Sequence, residues 1–357
     1  MIESDLLKID GSFGEGGGAI LRLSAAYSVL FKRPIRIKNI RANRPKPGLR
    51  LQHLLGLKAL TELSNSSLSP CGMGSEEIYI TPNTSNEVKS NIQMDISTAA
   101  SIGLLLQPIQ IASLGFKKFE KIEILLKGGG TFGKWAPSIN YLQEVTYKLF
   151  EKSGLKIEID ILKHGFYPKG GAQLKCVIYP AKEIIKPINL IELGNVDLIQ
   201  GEITITNQLN RNRDNIGLRI KKSIQQQIRR NLKINIDIKQ TWVNSISSGV
   251  GVSLWAHSDT GAIISTGTFL GEKKLSSEKL GYNVAQEMIH YLQNEIPVDK
   301  YLSDQLIPLM GYVKKPSSIK VSEITSHTRT NLDLIKLFTN REYKILKHND
   351  YCIINFQ

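Results

Sequence analysis

The chain has 357 residues, enough for about two domains that each bury a core. Hydrophobic residues make up 41% and charged residues 22%, which is ordinary for a globular protein. The net charge of +14 favours a polyanionic partner, such as nucleic acid or a nucleotide, over an acidic protein or a cationic substrate. A lysine-rich surface that serves only to keep the protein in solution is the alternative explanation of this charge.

The cysteines and the apolar segments restrict where the protein works. Cys71, Cys176 and Cys352 lie far apart without metal-ligand spacing, so neither a disulfide framework nor a zinc site is indicated, and we expect a cytoplasmic location. The first residues do not resemble a signal peptide. The most apolar segment, residues 99–116, is interrupted by two glutamines, so no membrane partner is expected.

Regular patterns predict alternating strands and helices. Apolar and polar residues alternate, as in half-buried strands, at residues 35–38, 157–161 and 234–238. Residues 99–106 are apolar on all sides and predict a buried helix. Helical spacing also appears at residues 142–149, after Pro137, and at residues 280–291. Glycine clusters recur at residues 16–18, 128–130 and 170–171, which indicates a repeated unit.

The segment from residue 186 to residue 278 differs from the rest. It is rich in Asn, Gln and Ile, and isoleucines at four-residue spacing from Ile216 to Ile228 alternate with lysines and arginines, which predicts a basic amphipathic helix. Its basic face is interpreted as solvated, with RNA contact as the alternative. We therefore predict a small inserted α/β domain at 186–278 and a large domain formed by 1–185 and 279–357.

Two glycine motifs resemble known nucleotide sites without matching them. The Gly14-x-Gly16-x-x-Ala19 turn has the spacing of a dinucleotide-binding turn, but arginines replace the acidic residue expected about twenty positions later, so only NADP would fit. The glycines at 128–130 approach a P-loop, but Trp135 stands where a Ser or Thr should bind magnesium. A Walker-type site is rejected.

The first glycine turn also lies close in sequence to several arginines. Residues 10–53 combine the glycine turn with several arginines and end at His53. Glycines let a backbone approach phosphate oxygens, and guanidinium groups bind phosphate at two points. This region is therefore predicted to hold a phosphate.

His327 is the candidate nucleophile. Thr330 or Asn331 is a suitable N-cap for the apolar helix that follows, so we expect His327 just outside a helix N-terminus. The helix dipole there, with Arg329, disfavours a charged imidazolium. A neutral imidazole beside anion-binding amides suits attack on phosphorus, although a surface-loop histidine gives the same local pattern.

Six motifs together resemble the RNA 3′-terminal phosphate cyclase family. In chain order they are DGSFGEGGG from position 10, RANRPKPGLRLQH from 41, GGGTFGKWAP from 128, HGFYPKGG from 164, YLSDQ from 301 and HTRTN from 327. The chain departs from the family pattern at Ala19, where Gln is usual, and at Ala172, where a third glycine is usual. Both positions lie on scaffold turns.

The resemblance implies a fold and a reaction. The fold is mixed α/β, with a large domain of three βαβαββ-type repeats and a smaller thioredoxin-like inserted domain. The partners are ATP, a divalent metal (Mg or Mn) and an RNA with a 3′-terminal phosphate. The reaction passes through a histidine–AMP adduct and an RNA adenylate to a 2′,3′-cyclic phosphate. Association into a homodimer is left open.

The resemblance also assigns residues to roles. His327 is the implied adenylated nucleophile, and Glu15 is the expected metal ligand. The implied ATP- and AMP-binding positions are Gln107, Pro137, Tyr301, Leu302, Ser303, Asp304 and Gln305, with Tyr301 and Pro137 on the two faces of the adenine ring. The expected phosphate or RNA contacts are Arg22, Arg41, Arg44, Arg50 and His53, and His53 is also a candidate acid–base group. For each single arginine, a structural ion pair is an equal alternative.

Two other functions compete with this interpretation. A non-catalytic, cyclase-like ribosome-assembly protein would share the glycine motifs but lack the nucleophilic histidine. An NADP-dependent reductase would rest on the first glycine turn alone.

Overall fold

A computed structural model of the chain describes residues 6–85, 89–117, 119–183, 185–212 and 215–357. Within those ranges the chain forms four sheets with helices packed between and around them. The predicted mixed α/β class is confirmed.

The first sheet belongs to a βαβαββ unit. Its elements are β1 (Leu7–Asp10), α1 (Gly18–Phe31), β2 (Ile35–Lys38), α2 (Leu51–Leu63), β3 (Ser67–Leu68) and β4 (Ile78–Thr81). The strand order is β1-β2-β4-β3, with β1 and β2 parallel and β4 antiparallel to both of its neighbours. Ile35 and Ile37 are fully buried while Arg36 and Lys38 face outward, so the predicted alternating strand is confirmed.

The second sheet repeats this plan. Its elements are β5 (Asn91–Ser101), α3 (Ile102–Ala112), β6 (Ile122–Gly130), α4 (Ile139–Tyr141), α5 (Tyr147–Ser153), β7 (Lys156–Lys163) and β8 (Gln173–Tyr179). The strand order is β5-β6-β8-β7. A π-helical segment, Leu142–Thr146, joins α4 to α5, so the helix predicted at residues 142–149 is confirmed.

The buried helix predicted at residues 99–106 is only partly right. Residues 99–101 complete β5, and α3 begins at Ile102, where the Ser101 hydroxyl accepts the N–H of Leu104 (3.4 Å). The helix after Pro137 similarly begins behind a serine cap, because the Ser138 hydroxyl accepts the N–H of Tyr141 (3.1 Å).

A five-stranded sheet follows β9 (Asn189–Leu190). Its elements are β10 (Leu198–Thr206), α6 (Ile216–Asn231), β11 (Asn235–Val243), β12 (Val250–His257), β13 (Ile263–Ser265), β14 (Phe269–Leu270) and α7 (Ser277–Gln293). The strand order is β11-β10-β12-β13, and β14 pairs with β12. Helix α6 buries Ile220, Ile224 and Ile228, as the isoleucine spacing predicts. Strand β11 and helix α7 confirm the patterns at residues 234–238 and 280–291.

The third βαβαββ unit then resumes from β9. Its elements are α8 (Lys300–Tyr312), β15 (Ser317–Val321), α9 (Ser326–Thr339), β16 (Tyr343–Lys347) and β17 (Cys352–Phe356), with strand order β16-β17-β15-β9. The thioredoxin-like character of the five-stranded segment and its limits at 186 and 278 stay predictions. Helix α7, which starts at the second limit, packs on α6, β12 and β14.

Helices from all three units meet at the centre of the large core. Helix α1 packs on α2, α3 and α9, and α8 packs on α9. This central contact places the turn before α1 next to the start of α9, where the candidate site lies.

Candidate active site

The turn between β1 and α1 fits tightly against two other segments. Gly14 and Gly16 adopt φ angles of +59° and +57°, a region that favours glycine. A side chain on Gly14 would overlap Oγ1 of Thr330 in α9, and one on Gly16 would overlap the Asn43 amide in the loop after β2. Because these positions lack side chains, the turn lies directly against both segments.

This turn brings a carboxylate to the candidate nucleophile. Oε2 of Glu15 lies 3.2 Å from Nε2 of His327 and 3.2 Å from Nη2 of Arg44. The Glu15 side chain is 10% exposed, whereas His327 is 49% exposed. The His327 imidazole therefore contacts a carboxylate on one side and remains accessible to solvent, although Glu15 and His327 lie near opposite ends of the sequence.

The predicted start of the helix at His327 is wrong. Thr330 and Asn331 do not cap it. Helix α9 begins one residue before His327, and the Thr325 hydroxyl caps it by accepting the N–H of Thr328 (3.0 Å). His327 consequently lies inside the first turn, still among the amides and the positive end of the helix dipole.

Tertiary contacts explain why the two expected caps serve elsewhere. The Thr330 hydroxyl donates to the Ser326 carbonyl (2.8 Å). The Asn331 amide donates to the carbonyl of Asp304 (2.6 Å), and its oxygen accepts from the buried Tyr27 hydroxyl (2.5 Å). Asn331 thus fixes α9 against α1 and α8. Sequence analysis missed this role, because an asparagine within a Ser/Thr/Asn-rich segment has the signature of a cap.

His53 is a neutral donor in this environment. It is 3% exposed, and its Nδ1 accepts the backbone N–H of Arg50 (3.2 Å), which places the ring proton on Nε2. Burial, together with the charges of Arg22 and Arg41, lowers the pKa of His53 to about 3. A group with this pKa takes up no proton near neutral pH. The geometry therefore favours a phosphate contact over an acid–base role.

An anion cradle surrounds the start of α1. Gly17 precedes the helix, and within the described residues no side chain caps it. A side chain on Gly18 would overlap Nε2 of His53 and lie 2.9 Å from Nη1 of Arg22. Arg22 is oriented by Gln107, whose Oε1 accepts from its Nε (3.0 Å). Burial lowers the pKa of Arg22 to about 10, so it stays charged at neutral pH. Helix amides, a guanidinium and an imidazole N–H therefore converge on one space.

The other predicted arginines have different surroundings. Nη1 of Arg41 donates to the carbonyls of Lys46 (2.6 Å) and Gly48 (2.9 Å), so that it braces the loop after β2. Arg44 reaches Glu15, as described above. Arg50 precedes α2 and uses its backbone to orient His53. Arg44 therefore pairs with Glu15, the Glu15 charge also acts on the buried Arg22, and Arg41 braces its own loop.

Several side chains of α8 that the resemblance assigns to nucleotide binding are hydrogen-bonded to other parts of the protein. The Ser303 hydroxyl bonds the Thr328 hydroxyl in α9 (2.9 Å) and is fully buried, as is Leu302. Oε1 of Gln305 accepts from the Thr146 hydroxyl (3.0 Å), and its amide donates to a carbonyl one turn earlier (3.1 Å). These side chains fix α8 against its neighbours, and their nucleotide-binding roles stay predictions.

Tyr301 and the residue after Pro137 contact neighbouring residues of one short segment. The Tyr301 ring packs over Gly267, where a Cβ would lie 2.5 Å from the ring. The neighbouring Thr268 hydroxyl donates to Oγ of Ser138 (2.7 Å), directly after Pro137. The five-stranded segment therefore brings the two residues implied to contact adenine into the same region.

The pKa values of two carboxyl groups near the start of α8 are raised. Asp299 is fully buried and caps α8 by accepting the N–H groups of Tyr301 and Leu302 (both 2.9 Å) and the Tyr141 hydroxyl (3.0 Å). Burial raises the pKa of Asp299, and of Asp304, to about 7. Asp299 was missed by sequence analysis, although an aspartate directly before a helix is a recognisable cap signal.

The chain is similar to known proteins along nearly its whole length. Residues 13–345 match the family model described as RNA 3′-terminal phosphate cyclase. The chain belongs to the RNA 3′-terminal phosphate cyclase family. A protein of that name from Thermococcus gammatolerans is 36% identical over 341 residues, covering 95% of this chain and 94% of the relative. The chain is also similar to two further proteins of that name. The one from Pyrococcus furiosus is 36% identical over 344 residues, covering 95% of each chain. The one from Methanothermobacter thermautotrophicus is 32% identical over 346 residues, covering 95% of this chain and 96% of the relative.

Membership of the family confirms the resemblance seen in the six motifs. Within the described residues, no helix combines the length and apolar character that crossing a bilayer requires. The cytoplasmic location, the metal and the individual site residues stay predictions.

Proposed function

We propose that this protein uses ATP to convert the 3′-phosphate of an RNA into a 2′,3′-cyclic phosphate, with AMP carried transiently on His327. The contact between His327 and Glu15, beside the cradle at the start of α1, is the observation that supports the proposal. It combines an accessible nucleophile, a carboxylate and an anion site, which are what nucleotidyl transfer requires.

In the first step an imidazole nitrogen of His327 attacks the α-phosphorus of ATP. A P–N bond forms, the P–O bond to the β-phosphate breaks, and pyrophosphate leaves. The positive end of α9 and the Arg44 guanidinium would stabilise the charge that develops on the phosphoryl oxygens. The Glu15 carboxylate, 3.2 Å from Nε2, would stabilise positive charge on the imidazole.

In the second step an oxygen of the RNA 3′-phosphate attacks the AMP phosphorus, and the P–N bond breaks. In the third step the adjacent 2′-hydroxyl loses its proton and attacks the 3′-phosphorus, and AMP leaves. A phosphate monoester has no good leaving group, so adenylation supplies one, while the neighbouring hydroxyl is already positioned. The cradle formed by Arg22 and His53 would hold a phosphate throughout.

The nucleotide base has a candidate place beside Tyr301 and Pro137. The Tyr301 ring is 43% exposed and lies close to Gly267, and Nζ of Lys300 lies 5.3 Å from the ring centre, so a planar ligand would share the ring with this ammonium group. Gln107 and Asp304 lie toward the phosphate cradle: Gln107 bonds Arg22, and the Asp304 charge offsets part of the lowering of the Arg22 pKa by burial. The polar groups would then contact ribose or phosphate rather than the base edge.

Glu15 would hold the divalent metal. The described residues contain no group of three His, Cys, Asp or Glu side chains that could bind a metal on its own. A single carboxylate completed by substrate phosphate oxygens and water is the usual arrangement for magnesium, so the donor set fits Mg or Mn. When bound, the ion would neutralise the triphosphate charge.

The competing functions have less support. A non-catalytic ribosome-assembly protein gives no reason for an accessible imidazole beside a carboxylate and an anion cradle. The family assignment leaves the NADP-dependent reductase without support.

The proposal is tested with a 5′-fluorescent oligoribonucleotide that ends in a 3′-phosphate. With ATP and Mg²⁺ or Mn²⁺, we expect the end to become resistant to phosphatase, and to regain sensitivity after acid opens the cyclic phosphate. An RNA with a 3′-hydroxyl is the matched control substrate. An end that stays sensitive to phosphatase with both metals would refute the proposed activity.

A further inference from the structure

Two aromatic side chains, in the loops after β6 and β7, lie largely in solvent. Trp135 is 91% exposed and Tyr167 is 78% exposed, so neither contributes to the core. Trp135 also has a φ angle of +59°, which is rare for a bulky residue. The fold gives no reason for a tryptophan here, and an outlier of this kind indicates a functional constraint.

The loops that carry these side chains are fastened to each other. The N–H of Thr131 donates to the Gly165 carbonyl (2.9 Å), and the Thr131 hydroxyl bonds Nδ1 of His164 (3.0 Å). The rings of Phe132 and Phe166 stack with centroids 4.8 Å apart and planes within 9°. Tyr167 directly follows Phe166, and Trp135 lies three residues after Phe132 in its loop. They are therefore presented on a rigid base rather than on free loops.

The same loops lead toward the phosphate cradle. A Cβ on Gly133 would lie 3.5 Å from the Ser101 side chain, which caps α3. Helix α3 carries Gln107, the residue that orients Arg22. Trp135 itself is two residues before Pro137. Helix α3 therefore connects the loop that carries Trp135 with the cradle.

A lysine lies beside each of the two aromatic side chains. Nζ of Lys134 lies 5.1 Å from the centre of the Trp135 ring and pairs with Glu272 (2.9 Å), and Lys169 is exposed two residues after Tyr167. Exposed aromatic rings with neighbouring lysines are how proteins bind single-stranded nucleic acid without reading its sequence, since each base offers a planar face.

We infer that Trp135 and Tyr167 form a stacking platform for unpaired bases of the RNA just before its 3′-end. The inference rests on the proposed function, because it takes the RNA end as the ligand of the cradle. It assigns the HGFYPKGG motif and Trp135, which the reaction steps do not use, to holding the substrate strand.

The test measures affinity alone, by anisotropy of a 5′-fluorescent 3′-phosphorylated oligoribonucleotide without ATP. We expect Trp135→Ala to weaken binding about tenfold, Trp135→Phe to restore most of the affinity, and Tyr167→Ala to weaken it as well. Trp242→Ala, at a tryptophan 37% exposed on β11, is the matched control and should bind like the wild type. The slope of log Kd against log salt should not change in Trp135→Ala, since stacking removes no phosphate contact.

A second measurement identifies the base. Single abasic nucleotides are placed at each of the last positions before the 3′-end, and each RNA is bound to wild type and to Trp135→Ala. At the stacked position the two changes should not add, which is the signature of a direct contact. Unchanged affinity of both alanine variants, or additive losses at every position, would overturn the platform and leave the aromatics to a protein partner.

Failure of the platform and failure of the proposed function give different results. Wild-type protein that binds the RNA through Trp135 but never makes its end resistant to phosphatase would contradict the cyclase activity alone. Wild-type protein that cyclises the end with alanine variants of normal affinity would contradict the platform alone.

Discussion

Gly18→Ala is the sharpest test of the anion cradle. Gly18 is the first residue of α1, where alanine is a better helix former than glycine by up to about 1 kcal/mol. The added Cβ, however, would overlap Nε2 of His53 and lie 2.9 Å from Nη1 of Arg22. The methyl group would therefore occupy the space in which we place a phosphate.

The added helix propensity stabilises the folded protein, whereas the displacement of His53 destabilises it and also lowers activity. His53 is buried, so moving it weakens its bond to the Arg50 N–H, at a cost of about 1–3 kcal/mol. Set against the helix gain, the net loss of stability should be about 0–2 kcal/mol, which leaves the protein folded. Loss of a donor aimed at a reacting phosphate typically lowers the rate by about 10²- to 10³-fold. We expect that loss for cyclisation.

The assay compares Gly18→Ala with Gly56→Ala. Gly56 lies inside α2, and the nearest atom to a Cβ there is 3.7 Å away in Leu105, so the substitution adds helix propensity without a clash. Initial rates of phosphatase resistance and thermal melts are measured for both variants. Gly56→Ala should keep the wild-type rate and melt at or above the wild-type temperature. A folded Gly18→Ala protein that cyclises RNA within about threefold of wild type would refute the cradle, given the rate loss expected above.

The remaining predictions concern the nucleophile, the arginines and the buried cap. His327→Asn should lower cyclisation more than about a thousandfold, and mass spectrometry at alkaline pH should find no AMP adduct after incubation with ATP; an adduct would move the nucleophile elsewhere. Arg44→Ala should impair adenylation of the RNA end while the melting temperature is unchanged, whereas Arg41→Ala should lower the melting temperature because it loses two carbonyl contacts; unchanged kinetics would make Arg44 structural. The pKa of Asp299 is raised to about 7 in the folded protein, so the folded state binds the proton more tightly and stability falls as the pH rises from about 4 to about 7. Asp299→Asn removes this loss and keeps a capping oxygen, so from pH 5 to pH 8 it should gain roughly 2–4 kcal/mol relative to wild type in urea unfolding; a difference independent of pH would contradict the burial argument.

Secondary structure was predictable wherever a period was clear. The alternation at residues 35–38 and the isoleucine spacing in α6 each describe one buried face, and the structure has those faces. Residues 99–106 have no such face. A continuously apolar run fits a buried strand as well as a buried helix, and only the Ser101 cap separates β5 from α3.

The start of α9 shows a different limit. Threonine, serine and asparagine fill the segment before and after His327, and each is a possible cap by local preference. The choice depends on partners distant in sequence: Asn331 is held by Tyr27 and Asp304, which leaves Thr325 to cap the helix. Similarly, the resemblance names a run of residues in α8, but only the packing shows that Ser303 and Gln305 are bonded to the scaffold.

The motifs, which are far apart in sequence, converge because all three units use the carboxyl ends of their parallel strands. Each βαβαββ unit contains two parallel strands whose carboxyl ends lie together, and α/β proteins commonly bind ligands at these ends. The first unit supplies the glycine turn after β1, the second supplies α3 and the loop after β6, and the third supplies α9 after β15. Contacts across the units, from Glu15 to His327 and from Arg22 to Gln107, join these edges. The five-stranded segment leaves the third unit after β9, between that strand and α8, and its residue Gly267 reaches Tyr301 in the first turn of α8.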